Sequence, residues 1–288
     1  RSTDHLLHVL PMFHVHGLVV ALLGALWVGA RVRLMDRFSA PETLRMLTDK
    51  ALGFTVFMAV PTIWNRLLRC PLPERVELSH LRLCTSGSAP MTVEQHAELS
   101  AKFGISIVER YGMTEVGIVL SNPFAGARVP GTVGFAVGAA QFDVRDADQC
   151  SVADGTVGEL WIRGPSVISG YWRKPQQSAE TIIDGWLRSG DLAVRDSSGR
   201  FSIVGRCKEL IISGGMNVYP LEVERCILEV PGILEVAVLG LPDPEWGERV
   251  VAVLVGDREC EEVLRKHLRD VLAPYKQPKA YYWRAELP

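Results

Sequence analysis

The 288-residue sequence has almost no net charge, because 31 Lys and Arg against 33 Asp and Glu leave −2 at neutral pH. Without a global field there is no long-range pull towards DNA, RNA or an anionic membrane, so an anionic ligand must be held by local groups. The six cysteines (Cys70, Cys84, Cys150, Cys207, Cys226, Cys260) form no CxxC pair and no regular framework. This argues against a disulfide scaffold or a structural zinc site, and for reduced thiols in a cytoplasm-like compartment. The longest uncharged run, Gly17 to Ala30, is too short to cross a hydrocarbon core, so no membrane span is expected. Its glycines at 17, 24 and 29 sit in what reads as a buried helix, with the stripe Leu18 to Trp27 assigned to the core. Internal repeats and low-complexity tracts are absent, as are GxGxxG, GxxxxGK[ST] and HExxH, which removes dinucleotide, P-loop and zinc-protease readings.

What remains is an ordinary globular composition, 48% hydrophobic and 22% charged, at a length with room for a large domain plus a small one. From His5 to Arg110 short β-rich runs alternate with helix-like stretches, the pattern of a parallel sheet with crossover helices. The strands are placed at 6–10, 31–35, 54–60, 81–85 and 105–108, and the helices at 18–28, 41–48, 62–68 and 92–103. Ser39 before Pro41, and Thr92 with Gln95 three residues on, mark helix starts. Between Gly131 and Gly205 the period shifts towards two, with turns at Asp154-Gly155, Asp184-Gly185 and Ser198-Gly199, which predicts a β-rich subdomain. After Arg206 come a strand, a Gly-rich turn, a helix from Leu221, two apolar strands and a helix over 261–271. The expected class is α/β: the parallel-sheet portion of a large N-terminal domain over 1–206, with its β-rich subdomain at 131–206, followed by a small α+β domain over 207–288.

Four polar clusters carry candidate chemistry. Thr85-Ser86-Gly87-Ser88-Ala89-Pro90 follows an apolar strand, where small residues let a flat or phosphorylated ligand reach the backbone; a plain strand-to-helix turn explains it as well. Glu109-Arg110-Tyr111-Gly112-Met113-Thr114-Glu115 reads as a loop holding a cation, a ring, a hydroxyl and a carboxylate, suited to a carboxylate, a base and Mg2+-phosphate, or as a solvated polar loop. Ser189-Gly190-Asp191 and Gly205-Arg206-Cys207-Lys208, with Ser213-Gly214-Gly215, could hold a ribose or be hairpin turns. His14-x-His16 lacks a third metal ligand nearby, so a metal pair is the weaker reading there.

The joint order of these clusters resembles the adenylate-forming superfamily of acyl-CoA synthetases, adenylation domains and luciferases. The carrying residues are Pro11-Met12-Phe13-His14, the run at 86–90, ERYGMTE at 109–115, Gly158-Glu159-Leu160 with Gly164-Pro165, GYW at 170–172, DGW at 184–186, SGD at 189–191, GRCKELI at 205–211 and SGGMNVYP at 213–220. Within that superfamily ERYGMTE, the pair His14 and His16, and the runs Ser121-Asn122-Pro123 and Val129-Pro130-Gly131 look most like malonyl-CoA and methylmalonyl-CoA synthetases. Arg110 gives this a physical basis, since a dicarboxylic substrate leaves a second carboxylate in the acyl pocket that needs a charged partner.

The resemblance implies an acid–thiol ligase that uses ATP, Mg2+ and coenzyme A on a small carboxylate. It places Ser86, Gly87, Ala89, Pro90, Tyr111, Gly112, Asp191 and Arg206 around the nucleotide, the last two on its ribose. It places Arg110, Ser88, Met113 and His16 around the acyl substrate, Thr114 on phosphate and Glu115 on Mg2+. His14 is implied beside the reacting acyl group, Lys208 at the hinge between large and small domains, and Gly214 and Gly215 in the pantetheine tunnel. The family's triphosphate loop and its adenylation Lys match nothing in residues 1–288, so this chain is expected to be a segment of an active synthetase. The competing readings are another acyl- or aryl-CoA ligase of the family, and a nucleotide- or acyl-CoA-binding module without catalysis. Cytoplasm and mitochondrial matrix both suit the reduced thiols, and neither nucleic acid nor membrane is an expected partner.

Overall fold

A computed structural model describes residues 1–71 and 76–287, which fold around three sheets. Pro288, the last residue of the expected small domain, lies outside the described residues. The first sheet opens with β1 (His5–His8), β2 (Arg31–Leu34), β3 (Val56–Ala59), β4 (Leu83–Ser86) and β5 (Ile107–Met113), all parallel in the order β2-β1-β3-β4-β5. Parallel neighbours need crossovers. A π-helical run His16–Leu23 leading into α1 (Gly24–Trp27), α2 (Ala40–Thr48), α3 (Pro61–Leu68) and α4 (Val93–Phe103) supply them. Two antiparallel strands that the sequence pattern did not reveal, β6 (Gly117–Ser121) and β7 (Phe135–Ala136), extend the sheet beyond β5. Its core is fully buried Phe57 edge-on to Trp64 at 5.1 Å, with Leu99 and Phe103 of α4.

The helix starts differ in detail from expectation. Thr92 Oγ1 accepts from Gln95 N at 3.2 Å while Thr92 N donates to Gln95 Oε1 at 2.9 Å, a reciprocal cap that fixes where α4 begins beside the Ser88–Pro90 turn. Ser39 precedes α2 but makes no side-chain cap. The stripe Leu18–Trp27 is not core: Leu18, Val19, Leu23, Leu26 and Trp27 are exposed, Trp27 at 89%. The run is apolar all round, whereas only His16, Gly17 and Ala21 are buried, so hydrophobicity without a polar face overstated its burial.

The second sheet joins β8 (Gln141–Arg145), β9 (Gly158–Arg163), β10 (Ile182–Ile183), β11 (Trp186–Arg195) and β12 (Phe201–Arg206), paired antiparallel. An unanticipated helix, α5 (Pro175–Thr181), leads into it. Asp184-Gly185 turns β10 into β11 with φ of +51° and +77°, the geometry that an Asp-Gly pair tolerates. The third sheet contains β13 (Ile211–Ser213), β14 (Met216–Val218), β15 (Ile233–Asp243), β16 (Gly247–Gly256) and β17 (Ala280–Arg284). Two helices, α6 (Pro220–Leu228) and α7 (Glu261–Val271), pack Val223, Ile227, Leu264 and Leu268 against Val250 and Leu254. β17, parallel to β16, is a further strand missed from the sequence.

Two substitutions test how the turns are held. Removing the cap with Thr92→Ala should cost about 1 kcal/mol. Gly112→Ala should cost more, because its Cβ would lie 2.0 Å from the Gly117 carbonyl oxygen. Urea unfolding of both variants checks the order.

Candidate active site

The carboxyl ends of β4 and β5, the bulged middle of β11 and the start of α6 enclose a cavity of about 300 Å3. Ser88, Ala89, Pro90, Arg110, Tyr111, Gly112, Asp191 and Arg206 all line it, so the first, second and third clusters meet at one place, with Arg206 from the fourth. Ser88 stands in the left-handed region at φ +67°, a strained backbone, with its Oγ against the His16 ring. Two local readings change. ERYGMTE is mostly strand: Arg110 pairs with Ser121 and Tyr111 with Leu120, and only the turn around Thr114 and Glu115 is loop. Ser189-Gly190-Asp191 is no hairpin turn either. It lies inside β11, where the pairing with β9 slips between Arg188 and Leu192 and Gly190 takes φ +72°, a bulge that re-aims Asp191.

Strand alternation sends β5 side chains to opposite faces. On one face Tyr111 Oη donates to Asp191 Oδ2 at 2.6 Å, and Arg206 Nε meets Asp191 Oδ1 at 3.0 Å. Burial raises the Asp191 carboxyl above the usual carboxylate range, opposed by the Tyr111 hydrogen bond and the Arg206 charge. Burial, then the Asp191 charge, pushes the Tyr111 phenol upward, so it stays protonated and donates. Buried Glu109 accepts from Met91 N at 3.3 Å, His96 Nε2 at 2.9 Å and Gly131 N at 3.0 Å, tying three segments around the cavity.

On the other face Arg110 Nη2 donates to Thr85 Oγ1 at 2.8 Å and to His16 Nε2 at 3.3 Å, and lies 3.8 Å from Met58 Sδ. Arg110 Nε is buried without a hydrogen-bond partner, and among the described residues no carboxylate forms an ion pair with this guanidinium. Burial lowers its pKa to about 10, which leaves it cationic at neutral pH. Burial, then the Arg110 charge, holds His16 down at about 4, so its ring is neutral. A guanidinium only donates, so His16 Nε2 accepts and its Nδ1–H donates to Ser88 Oγ at 3.2 Å. That leaves the Ser88 hydroxyl proton available to a ligand. Both His16 nitrogens are therefore engaged, which removes the metal-pair reading.

Glu115 sits on the β5–β6 turn, and Tyr171 Oη donates to its Oε1 at 3.0 Å. Mg2+ prefers one or two carboxylates completed by water and phosphate oxygens. A single half-buried carboxylate in the turn after the cavity strand, with no cluster of three metal-binding side chains among the described residues, fits a cation shared with a nucleotide. The remaining expected residues are not among those that line the cavity. Met113 ends β5, its sulfur 3.9 Å from Tyr111 Oη, and Thr114 is exposed. Ser86 is buried with an unpartnered Oγ, and Gly87 packs so closely that a Cβ would stand 3.3 Å from the Arg110 carbonyl oxygen. His14 is exposed, its ring against Phe13. Lys208 is exposed in a single 3-10 turn, while Gly214 and Gly215 form the β13–β14 turn against Trp246.

A family model described as AMP-binding enzyme matches residues 1–172, and one described as AMP-binding enzyme C-terminal domain matches residues 222–288. The chain belongs to the AMP-binding enzyme family. Among its relatives, the mitochondrial malonate–CoA ligase of Mus musculus is 38% identical over 100% of this chain and 55% of its own length. The sulfoacetate–CoA ligase of Cupriavidus necator is 40% identical over 99% of this chain and 56% of its own. The crystal structure of ATP-bound MatB from Rhodopseudomonas palustris superposes with a TM-score of 0.93 at 38% identity, covering 100% of this chain and 57% of that one. The chain thus spans just over half the length of these relatives.

Cavity residues with no role assigned from sequence include Glu109, Gly131, Glu224 and Arg225, and beside the Arg110 guanidinium stand Thr85 and Met58. Glu109 and Gly131 stood inside quoted motifs. Nothing in the α6 sequence distinguishes Glu224 and Arg225 from surface charges.

The neutral His16 carries a pH signature. Its folded pKa near 4 lies below its ordinary 6.5, so between these values the unfolded chain binds the extra proton and stability rises with pH. The contribution is complete above 6.5 and is lost as pH falls towards 4. Denaturant unfolding across this window should show a shallower rise for His16→Gln than for the wild type.

Proposed function

We propose that the whole protein activates a small dicarboxylate, malonate or methylmalonate, as an acyl-adenylate with ATP and passes the acyl group to CoA. The observation that carries this reading is the Arg110 guanidinium beside the cavity, desolvated and, among the described residues, without a carboxylate counter-ion. A buried cation of this kind stabilises a ligand that brings its own negative charge and repels an alkyl tail. The two relatives named above for their acids act on malonate and on sulfoacetate, each of which has a second anionic group beyond the reacting carboxylate.

On this reading Ser88 Oγ–H and Arg110 grip the distal carboxylate, with His16 fixing the serine's proton direction. Ala89, Pro90, Gly112 and Tyr111 line the base and sugar space, and Asp191 with Arg206 accepts and donates to the ribose hydroxyls. The free carboxylate oxygen of the held acid attacks the α-phosphorus and pyrophosphate leaves; the CoA thiol then attacks the acyl carbonyl and AMP leaves. When bound, Mg2+ offsets charge on the phosphates; Glu115 would hold it and Thr114 would contact the phosphate. Lys208 stands at the proposed hinge between a large domain, 1–206, and a small one from 207, whose Gly214-Gly215 turn would line the pantetheine path. Cytoplasm or mitochondrial matrix is the setting we infer.

The test is AMP release by the whole protein with a panel of acids. Arg110→Leu should lower kcat/KM for malonate by a hundredfold or more, an uncompensated buried charge costing about 3 kcal/mol or above. It should leave propionate, which lacks the second carboxylate, unimpaired. Undiminished malonate activity in Arg110→Leu would overturn the assignment.

A further inference from the structure

Glu115 is braced by a segment far from it in sequence. Ile168 N donates to the Glu115 carbonyl oxygen at 2.9 Å, and Tyr171 Oη donates to Glu115 Oε1 at 3.0 Å, so the 164–171 stretch grips this residue through main chain and side chain together. The brace is itself built in. Tyr171 N donates to Ser178 Oγ of α5 at 2.8 Å, Ser178 Oγ–H donates to the Lys174 carbonyl oxygen at 2.8 Å, and Lys174 N donates to the Tyr171 carbonyl oxygen at 3.1 Å. Gly170 lets the chain approach this ring of bonds: its φ is +151°, and a Cβ there would lie 3.0 Å from Ser178 Oγ.

The consequence for Glu115 is geometric. A half-buried carboxylate on a short turn still samples several rotamers, and each must be given up when a cation is bound. One phenolic hydrogen bond to Oε1 removes that freedom beforehand and engages only one of the two oxygens.

We propose that Tyr171 is a positioning residue for the nucleotide-bound divalent cation, holding the Glu115 carboxylate in its ligating orientation while never touching metal or substrate. This rests on the assignment of Glu115 as the cation's ligand, and the two are separable by experiment. Calorimetric ATP binding to the whole protein is followed across a Mg2+ titration for wild type, Tyr171→Phe and Glu115→Ala, with thermal unfolding of each. Loss of a hydrogen bond that orients a metal ligand typically weakens metal affinity by about tenfold. Tyr171→Phe should therefore raise the half-saturating Mg2+ concentration by that order while keeping wild-type ATP affinity at saturating Mg2+ and a wild-type Tm. Glu115→Ala should raise it further. A Tyr171→Phe curve that superimposes on wild type while Glu115→Ala shifts would overturn the positioning role and leave the ligand assignment standing. An unshifted Glu115→Ala curve would overturn both. A Tyr171→Phe variant that loses ATP affinity equally at every Mg2+ concentration, with a lowered Tm, would reduce Tyr171 to a structural contact.

Discussion

A guanidinium taken out of water without a counter-ion is among the more costly features a fold can hold, and among the described residues Arg110 is such a group. Its hydrogen bonds to Thr85 and His16 offset part of the desolvation but none of the charge, because both partners are neutral. A protein retains this arrangement where a ligand completes it. The neighbouring groups follow from the same constraint. His16 is kept neutral by burial and by Arg110 itself, and Ser88 holds a strained conformation that places its oxygen on His16 Nδ1.

The sheet order explains why this cation and the cavity are neighbours. β4 and β5 lie side by side and parallel, so the turn after β4 and the end of β5 emerge together, the usual place for ligands on open α/β sheets. Alternation along β5 then divides the work between faces, with Arg110 on one and Tyr111 on the other. Tyr111 reaches into the second sheet to Asp191, so the bulge in β11 and the end of β5 are locked by one short hydrogen bond. Glu109 performs the corresponding service for the Met91, His96 and Gly131 segments. The cavity is thus held by charged and polar bonds that converge on consecutive residues of a single strand.

Much of this was legible before any coordinates. The parallel strands announced themselves as short apolar runs between amphipathic stretches, and the small residues at 86–90 and the dense polar set at 109–115 marked the ligand end of the sheet. Less legible were elements whose signal depends on a partner. β6 and β17 are ordinary-looking strands defined by whom they pair with, and residues 110–113 run as strand where they pair with β6. The apolar run 18–27 misled because hydrophobicity reports affinity for cover and says nothing of whether cover is supplied. The bonds that give the site its chemistry join residues separated by 72 positions for His16 and Ser88, 94 for His16 and Arg110, and 80 for Tyr111 and Asp191. No local pattern encodes such pairings; the family resemblance brought these residues into one site, and the fold supplied the contacts between them.

The most direct test is a crystal structure of the whole protein with malonyl-adenylate bound. The account requires the distal carboxylate within about 3 Å of the Arg110 guanidinium and of Ser88 Oγ, with the adenosine in the cavity between Ala89 and Asp191. A distal carboxylate turned out to solvent, with Arg110 still bonded only to Thr85 and His16, would contradict it.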